Sequence, residues 1–405
     1  MKVFHINAVY EYGSTGRFIY ELKHSLQKYE VDSLVATTKT INKEDVYIIG
    51  NRFDWKCHGF FSRLFGKQGY FSLLSTKKLL KKISCEKPEI IHLHNLHANY
   101  INFPMLMKYI AKCNIPLVVT LHDCWFFTGK CCHYTVDNCY KWKTSCHHCP
   151  SLKKYNRSWF FDRTPKMHKD KKNLFSRVPN LNIIGVSHWL TEEAKKAPVF
   201  ATASRIECIY NWVDTEKFSP KNANDMRKEL SLENKKIILS VASAWSSVKG
   251  LNKICEIAKL LEEDEQIILV GRIGNEDKEK LPDNVICLPP TNSIEELAII
   301  YSMADVLFQP SLEETFGLVV AEAMACGTPA VCYRSTANPE LISEATGAVS
   351  AQVSAESALK SIRQVLNNGK TYYSEVCRKF AIENFEKHKN TEKYYELYKD
   401  ILENN

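Results

Sequence analysis

Two glutamates, Glu314 and Glu322, stand eight positions apart in the run PSLEETFGLVVAEAMACGTPAV, which covers residues 310–331. The run predicts a loop after a strand, followed by a helix over residues 316–326 that Gly327 terminates. A carboxylate can accept hydrogen bonds from two neighbouring hydroxyl groups, such as those of a ribose or another sugar. The spacing therefore suggests one hydroxyl-binding glutamate in the loop and a second on the helix.

The start of this helix also offers a site for an anion. The first amides of a helix have no partner within it and carry partial positive charge, and a glycine there lets a phosphate approach closely. The amides expected to bind the anion belong to Phe316, Gly317 and Leu318. The stretch thus predicts a phosphate site between two sugar-binding carboxylates, with a charged helix start and a solvated Glu322 as the alternative.

A second candidate site lies in the cysteine-rich run HDCWFFTGKCCHYTVDNCYKWKTSCHHCP. Cys146 and Cys149 have the spacing of half a zinc site, and Cys139 with either Cys131 or Cys132 could complete four sulfur ligands. The alternative ligands are His147 and His148. The run shows no clear hydrophobic core, so a structural zinc is physically reasonable, while packed thiols or a disulfide are the other interpretations. The predicted ligand set is Cys131, Cys139, Cys146 and Cys149.

Short apolar runs alternate with helical patterns along the chain and would position these residues. Most of the apolar runs are continuous, as in strands buried on both faces of a parallel sheet, and the alternation predicts doubly wound α/β domains. The predicted strands cover residues 2–8, 33–37, 90–94, 117–121, 182–186, 236–241, 266–270, 284–288, 305–309 and 329–333. The series runs twice, so we expect two Rossmann-like domains facing across a cleft, with ligands at the carboxyl ends of the strands.

The polar run NWVDTEKFSPKNAND indicates a hinge between the domains. The predicted domains are residues 1–204, with the cysteine-rich insertion at 124–150, and residues 205–384. Residues 385–405 are expected to form a helix that packs back on the N-terminal domain, because their aromatic side chains need a surface to cover.

Length and composition suit two globular domains, with 405 residues, 45% of them hydrophobic and 25% charged. The net charge of +8 fits an anionic ligand or an anionic membrane surface, and it is too small and dispersed to indicate nucleic acid. The chain shows no signal peptide and no spanning segment, so a cytoplasmic location, including the inner face of the plasma membrane, is expected. In that reducing compartment the fifteen cysteines are expected to be thiols or metal ligands.

The run at residues 310–331 resembles the C-terminal signature of retaining glycosyltransferases of family 4, which have the two-domain GT-B fold. The shared features are the Pro-Ser start, E-x-F-G-L, the second glutamate eight residues after the first, and A-M-A-C-G-x-P. The G-S-T-G-R, H-L-H-N-L-H and H-D-C-W runs also resemble a subgroup found in colanic acid and capsule gene clusters. The resemblance covers nearly the whole chain and implies retaining transfer from a nucleotide-diphospho sugar without a catalytic metal.

By this resemblance Glu314 contacts the donor sugar and Glu322 the nucleotide ribose. The family also places an arginine, and six residues later a lysine, on the donor diphosphate. Lys249 in SVASAWSSVKGL matches the lysine, whereas Ser243 stands at the arginine position and brings no charge. Lys249 is then expected to carry more of the charge neutralisation, helped by Arg272, with a solvated lysine at a helix start as the alternative.

The N-terminal half contributes a G-S-T-G segment, predicted to be a flexible loop, where Gly16 and its neighbours would meet the diphosphate or the acceptor. A simple tight turn is the alternative. His122 ends a buried strand and, by the resemblance, contacts the donor sugar near the reacting centre. The expected acceptor-side residues are Arg17, His94 and His97. The alternative for the H-L-H-N-L-H run is that the side chains of His92 and His94 alternate across the edge of the sheet without an acceptor role.

The resemblance therefore implies a hexosyltransferase that moves a sugar, expected to come from a UDP-sugar, to a polyprenyl-diphosphate-linked or other glycan acceptor in capsule or lipopolysaccharide biosynthesis. Residues 53–83 interleave aromatic residues with Lys and Arg, which predicts either peripheral contact with an anionic membrane or an ordinary amphipathic helix. The alternative functions are a nucleotide-sugar epimerase on the same fold and a non-enzymatic zinc-binding interaction protein.

Overall fold

The computed structural model describes residues 1–43, 46–291 and 293–404. The chain divides into two compact units. The N-terminal unit comprises Met1–Ile209 together with the segment from Thr391 onward, and the C-terminal unit is Tyr210–Asn390.

The N-terminal unit is built on a seven-stranded parallel sheet. Its strands are β1 (Lys2–Ile6), β2 (Asp32–Thr37), β3 (Val46–Ile48), β4 (Ile90–Leu93), β5 (Leu117–Leu121), β6 (Leu181–Gly185) and β7 (Arg205–Cys208). The strand order is β3-β2-β1-β4-β5-β6-β7, and every pair is parallel. Its helices before the second unit are α1 (Gly13–Leu26), α2 (Arg52–Phe65), α3 (Leu73–Glu86), α4 (Phe103–Cys113), α5 (Thr164–Phe175) and α6 (His188–Lys195).

The C-terminal unit repeats the plan with a six-stranded parallel sheet. Its strands are β8 (Lys236–Ala244), β9 (Glu265–Arg272), β10 (Val285–Leu288), β11 (Val306–Gln309), β12 (Ala330–Tyr333) and β13 (Gly347–Ser350), in the order β10-β9-β8-β11-β12-β13. The remaining helices are α7 (Asn224–Glu229), α8 (Leu251–Ala258), α9 (Asn275–Lys278), α10 (Ile294–Met303), α11 (Leu318–Ala325), α12 (Ala355–Asn368), α13 (Lys370–Phe385) and α14 (Lys387–Glu403). Two parallel sheets with helical connections confirm the predicted α/β class with two Rossmann-like domains.

The first sheet ends one strand later than the boundary drawn from the sequence. β7 pairs with β6 in parallel, from Asn182 opposite Arg205 to Gly185 opposite Cys208. Residue 205, where the sequence placed the start of the second domain, is therefore the first residue of an edge strand of the first sheet.

The last helix, α14, belongs to the N-terminal unit from Thr391 onward. Tyr394 and Tyr398 on this helix are fully buried, and their hydroxyl groups lie 3.0 Å from Thr120 Oγ1 and 2.6 Å from His92 Nδ1. Tyr395 stacks on Tyr29, with ring centroids 4.2 Å apart. The tyrosines of α14 thus pack on the first unit as predicted. Phe385, which the sequence placed in the same segment, instead ends α13 and belongs to the C-terminal unit.

The cysteine-rich insertion packs around buried aromatic side chains that it shares with α4 and α5, which corrects the sequence-based expectation that it lacks a clear core. Between β5 and α5 the chain forms one short 3-10 turn, Lys141–Lys143, within a segment that the structure describes completely. Its aromatic side chains nevertheless pack together and are buried, and they belong to Trp125, Phe126, Phe127, Tyr134 and Trp142. The core was missed because its members come from irregular backbone with no periodic pattern.

Candidate functional site

The loops after β8 and β11 lie against each other at the carboxyl edge of the second sheet. Gly250, at the end of the β8 loop, has φ of 82°, and a Cβ there would collide with the carbonyl group of Pro310. The Leu312 amide donates to the Val248 carbonyl oxygen at 3.0 Å. Glycine at position 250 therefore allows the close approach that brings the two loops together.

Lys249 and Glu314 form an ion pair across these two loops. Lys249 Nζ lies 2.6 Å from Glu314 Oε1, and both side chains are partly exposed. The Glu314 amide donates to Thr336 Oγ1 at 2.8 Å, and this hydrogen bond holds the backbone of Glu314 in place. The structure thus places the predicted phosphate-binding lysine beside the predicted sugar-binding glutamate.

Glu322 is only 6% exposed, although it lies on a helix that begins in a loop. Its Oε2 accepts a hydrogen bond from the Tyr301 hydroxyl on α10 at 2.7 Å. Burial of a charged group requires hydrogen-bonding partners, and Tyr301 supplies one. Glu322 is therefore not a solvated residue on the helix surface, which was the alternative prediction. The sequence analysis did not single out Tyr301, since a lone tyrosine in an apolar helix gives no sequence signal.

The helix between the two glutamates begins later than predicted. It starts at Leu318 and not at Phe316, with Gly317 as the N-cap at φ of 99°. A Cβ on Gly317 would lie 3.1 Å from Leu341 Cδ1 in addition to the strained φ, so this position requires glycine. The Phe316 side chain is buried against Phe385, with ring centroids 5.4 Å apart. Of the three predicted anion-binding amides, Leu318 therefore lies at the helix start.

Arg272 lies beside the serine that stands at the family's arginine position. Both side chains are exposed, and Arg272 Nε donates to the Ser243 carbonyl oxygen at 3.3 Å. The contact follows from the pairing of β8 with β9, in which Ala244 is opposite Arg272 beyond an irregularity in the register. The Arg272 guanidinium group, on the neighbouring strand, thus lies close to the position at which the family has an arginine.

The G-S-T-G segment is helical, which corrects the prediction of a flexible loop. α1 begins at Gly13, so all four residues form its first turn. Gly16 is buried, and a Cβ there would lie 3.2 Å from Val9 Cγ2 and 3.3 Å from the Tyr10 backbone. Gly16 therefore packs the helix against the preceding loop, while the next residue, Arg17, is exposed.

Four histidines meet at the carboxyl side of β1, β4 and β5, because these strands are neighbours in the sheet. His94 Nδ1 lies 3.1 Å from His122 Nε2, and His5 Nδ1 lies 3.4 Å from His94 Nε2. His92 Nε2 lies 2.7 Å from Thr120 Oγ1, and His92 Nδ1 lies 2.6 Å from the Tyr398 hydroxyl group on α14. His94, which was predicted to be an acceptor-side residue, is fully buried and contacts both His5 and His122.

Burial governs the charge of this histidine cluster. It lowers the pKa of His5 to about 3, with a further contribution from Lys23, and it lowers the pKa of His122 to about 4. The pKa values of His92 and His94 are also well below the ordinary value, because of burial and then the neighbouring histidines. All four imidazoles are therefore neutral at neutral pH.

His97 differs from this cluster because it pairs with a carboxylate. Its Nε2 lies 2.8 Å from Asp123 Oδ2, and Cys132 completes a group whose ligand atoms are within 4.8 Å of one another. Burial alone would lower the pKa of His97, but Cys132 and Asp123 raise it well above its ordinary value. Burial likewise opposes ionisation of Asp123, yet His97 lowers the pKa of Asp123 to about 2. The pair thus places a protonated imidazole beside the strand end that carries His122.

A basic groove of about 1010 Å³ lies within the N-terminal unit. One face of α2 forms part of its wall, through Arg52, Lys56, Gly59 and Arg63 at helical spacing. Asn51 starts this helix by accepting from the amides of Phe53 and Asp54, each at 3.0 Å. The cationic side chains that line the groove are Lys39, Lys43, Arg52, Lys56 and Arg63. This groove was not recognised from the sequence. Its cations all lie within residues 39–63, but the lining also includes Tyr12 and Asn99 from other segments, and only the fold brings these walls together.

Large apolar side chains are exposed on α2, at the start of α3 and in a nearby loop. Phe53 is 77% exposed, Leu74 73% and Phe160 69%. The Phe60 ring packs edge-on against Trp159 at 5.5 Å, which joins the loop to the helix. We call the surface formed by Phe53, Phe60, Leu73, Leu74 and Phe160 the apolar patch. Among the described residues, no helix combines the length and apolar character needed to cross a membrane.

The two Rossmann-like domains have the GT-B type of fold, and comparison with known families identifies the chain as a glycosyltransferase. A family model described as Glycosyltransferase Family 4 matches residues 15–217, and one described as Glycosyl transferases group 1 matches residues 221–387. The chain therefore belongs to glycosyltransferase family 4.

Two relatives illustrate the range of the family. N-acetyl-alpha-D-glucosaminyl L-malate synthase of Bacillus anthracis is 27% identical over 233 residues, which are 54% of this chain and 60% of that protein. WcaC of Escherichia coli K12, whose name assigns it to colanic acid biosynthesis, is 23% identical over 278 residues, 64% of this chain and 63% of that protein. The similarity thus spans less than two thirds of either relative.

Solved structures match the fold over the full length. A glycosyltransferase from Rickettsia africae has a TM-score of 0.70 at 16% identity, covering 100% of this chain and 99% of that one. HepE of Anabaena, solved in complex with UDP, has a TM-score of 0.67 at 15% identity, covering 99% of this chain and 100% of that one. At these identities the likeness establishes the fold.

Proposed function

We propose that this chain is a retaining glycosyltransferase that moves a sugar from a UDP-sugar to an anionic, polyprenyl-diphosphate-linked glycan acceptor during surface polysaccharide assembly. The observation that carries the proposal is the ion pair between Lys249 and Glu314 in front of α11, with the buried Glu322 one helical turn further on. The cation and the helix start suit the diphosphate of a nucleotide-diphospho sugar, and the two carboxylates suit the hydroxyl groups of its sugar and its ribose.

The donor diphosphate binds to Lys249 and to the amides at the start of α11. Without a metal, the negative charge that develops on the leaving diphosphate must be met by such fixed donors. Arg272 supplies the second cation that Ser243 does not provide. Glu314, already bonded to Lys249, then turns its carboxylate to the sugar hydroxyls, while Glu322 binds the ribose. HepE, a structural relative, is solved with UDP and with UDP-glucose, which supports a UDP-sugar as the donor.

Retention of the anomeric configuration is inferred from the family resemblance. It corresponds to front-face attack, in which the leaving diphosphate assists deprotonation of the acceptor hydroxyl. In the N-terminal unit the resemblance assigns His122 to the donor sugar. Because the pKa of His122 is lowered to about 4, its imidazole is neutral at neutral pH and can accept as well as donate a hydrogen bond.

The acceptor binds in the basic groove. Among the described residues, the groove is lined by five cationic side chains and no carboxylate, a lining that suits a diphosphate. The same helix, α2, carries part of the apolar patch, which would contact the membrane in which a polyprenyl chain is embedded. Exposed Lys77 and Lys78 on α3 add attraction to anionic lipid.

Calorimetric titration of UDP and a UDP-sugar into variants tests the donor site. Glu322→Ala should weaken UDP and UDP-sugar alike, by about 1–3 kcal/mol for lost hydrogen bonds to a charged acceptor. Glu314→Ala should leave UDP binding nearly intact and depress turnover, because its contact is to the sugar. Lys249→Ala should weaken UDP far more than uridine, since only UDP carries the diphosphate.

Matched controls lie in the same unit. Lys253 on α8 forms an ion pair with Glu256 at 2.7 Å, so Lys253→Ala removes a comparable lysine away from the site. Glu344→Ala removes an exposed carboxylate. If Glu314→Ala lost UDP binding as severely as Glu322→Ala, the division of roles would be wrong. Interconversion of UDP-sugars without acceptor would instead identify an epimerase, and absence of any nucleotide-sugar binding would leave a binding protein.

A further inference from the structure

The four cysteines predicted from the sequence as ligands line one small cavity in the insertion. The cavity has a volume of about 20 Å³, and its walls include Cys131, Cys139, Cys146 and Cys149. It lies beside Tyr134 and Trp142 of the aromatic core, so the sulfurs occupy one side of a packed segment. None of the four forms a disulfide, and each is a free thiol.

The spacing of one sulfur pair matches two ligands of a single zinc ion. Cys131 Sγ and Cys149 Sγ are 3.9 Å apart. Tetrahedral zinc with Zn–S bonds of about 2.3 Å places neighbouring sulfurs about 3.8 Å apart. A disulfide would bring them to about 2.05 Å. The pair therefore has the separation of metal ligands, and the Cys139 and Cys146 thiols need to turn toward the same cavity to complete the set.

The backbone around the cavity is arranged to support a negatively charged sulfur. The Gly129 amide donates to Cys146 Sγ at 3.2 Å. A Cβ on Gly129 would lie 2.8 Å from Thr164 Cβ and 3.1 Å from Cys146 Cβ, so glycine is needed for this approach. The Cys149 amide donates to Asp162 Oδ2 at 2.9 Å, which fixes the backbone of a second ligand. Hydrogen bonds to ligating atoms orient them and adjust their charge.

Two buried lysines belong to this segment, Lys130 in the wall of the cavity and Lys171 on α5. Burial lowers the pKa of Lys171 to about 7 and also lowers the pKa of Lys130, so both ammonium groups need a nearby negative charge to stay protonated. Lys130 and Lys171 are 2% and 3% exposed, respectively. Lys130 Nζ donates to the Leu152 carbonyl oxygen at 2.9 Å, and Lys171 Nζ to that of Thr128 at 2.9 Å. Within the described part of the chain, neither ammonium group has a carboxylate at ion-pair distance. Buried charges require compensation, and Zn²⁺ with four thiolates carries a net charge of −2 that two ammonium groups offset.

We propose that Cys131, Cys139, Cys146 and Cys149 bind one structural zinc ion that fixes the insertion between β5 and α5. The neighbouring cysteine, Cys132, does not belong to this set, because its sulfur faces His97 and Asp123. The structure thereby chooses between the two cysteines that the sequence left open. The proposal is independent of the transferase activity, since none of its ligands contacts the donor or the acceptor groove.

Metal analysis of the full-length protein, purified without chelator, tests the proposal. We expect about one zinc per chain. Cys146→Ser and Cys149→Ser should lose the zinc, whereas Cys132→Ser and the exposed Cys113→Ser should keep it. Loss of zinc in Cys132→Ser alone would place the ion on His97 and Asp123 and overturn the proposal. Protein without zinc, or with iron in its place, would overturn it as well.

X-ray absorption at the zinc edge gives an answer from the unmodified protein, even if the serine variants fail to fold. Four sulfur neighbours at about 2.3 Å are expected. Three sulfurs and one nitrogen would exclude the four-cysteine set and point to His147, which also lines the cavity. Modification of the thiols with a mercurial should release the zinc to a chromogenic chelator, and zinc that stays bound after complete modification would contradict thiolate ligation.

Discussion

Mild acid should destabilise the N-terminal unit by protonating the histidines of its unfolded state. The pKa of His5 is lowered to about 3 and that of His122 to about 4, whereas an unfolded chain has histidine pKa values of about 6.5. Between these values the unfolded state binds more protons than the folded state. Stability is therefore fully present above about pH 6.5 and falls as the pH drops toward the folded pKa.

The magnitude follows from the size of the shifts. Each histidine that stays neutral in the folded state lowers the free energy of unfolding by about 1.4 kcal/mol for every pH unit below 6.5. His5 and His122 together therefore lower it by about 4 kcal/mol at pH 5. His92 and His94 act in the same direction. The Asp123 carboxylate opposes the shift at His122, and the figure already includes it. A loss of this size is a large part of a typical domain stability of about 5–15 kcal/mol.

Urea unfolding at pH 5, 6 and 7, followed by tryptophan fluorescence, measures this loss. His5→Gln removes one of the four groups and should reduce the slope of stability against pH by about 1.4 kcal/mol per unit. The exposed His24 on α1 provides the control, because His24→Gln should leave the slope unchanged. Equal unfolding free energies at pH 5 and 7, or a His5→Gln slope identical to that of the unchanged protein, would refute the reasoning.

Three further outcomes are expected. Arg272→Ala should weaken UDP binding by about 1–2 kcal/mol, and Ser243→Arg in that background should restore it; unchanged calorimetric affinity in Arg272→Ala would contradict the role. Phe53→Ser with Leu74→Ser should reduce flotation with phosphatidylglycerol vesicles, and binding of the unchanged protein should fall with salt because charges are screened over about 8 Å; indifference to either would remove the membrane contact. Gly250→Ala should destabilise the C-terminal unit by more than about 1–2 kcal/mol, since φ is 82° and the Pro310 carbonyl blocks a Cβ; an unshifted melting temperature would show that the loops tolerate it.

The sequence was most informative about interior strands. All strands that lie between two neighbours in either sheet were predicted, because burial on both faces requires continuous apolar runs. The missed strands are β3, β7 and β13, and all three are edge strands. An edge strand is half-exposed and short, as in Arg205–Cys208 with its alternating charges, so its sequence carries little signal.

The proposed donor site could be predicted in composition and less so in geometry. The pattern around Glu314 and Glu322 singled out these residues, but the ion pair with Lys249 depends on a contact between loops 65 residues apart in the chain. The helix starts at Leu318 because Gly317 adopts a left-handed conformation, which a sequence pattern does not reveal. The basic groove was missed although its cations lie within residues 39–63, because the remaining walls come from Tyr12, Ala98 and Asn99 and meet them only in the fold.

The position of α14 has a consequence for synthesis on the ribosome. Tyr398 bonds to His92, which precedes it by 306 residues. At translation rates of about 5–20 residues per second, the first unit waits about 15–60 s for the helix that fills its core. During that interval the Rossmann-like nascent chain keeps an open apolar surface, and the entire C-terminal unit is made before the first can close. Chaperone binding to stalled nascent chains of increasing length should therefore persist until α14 has emerged.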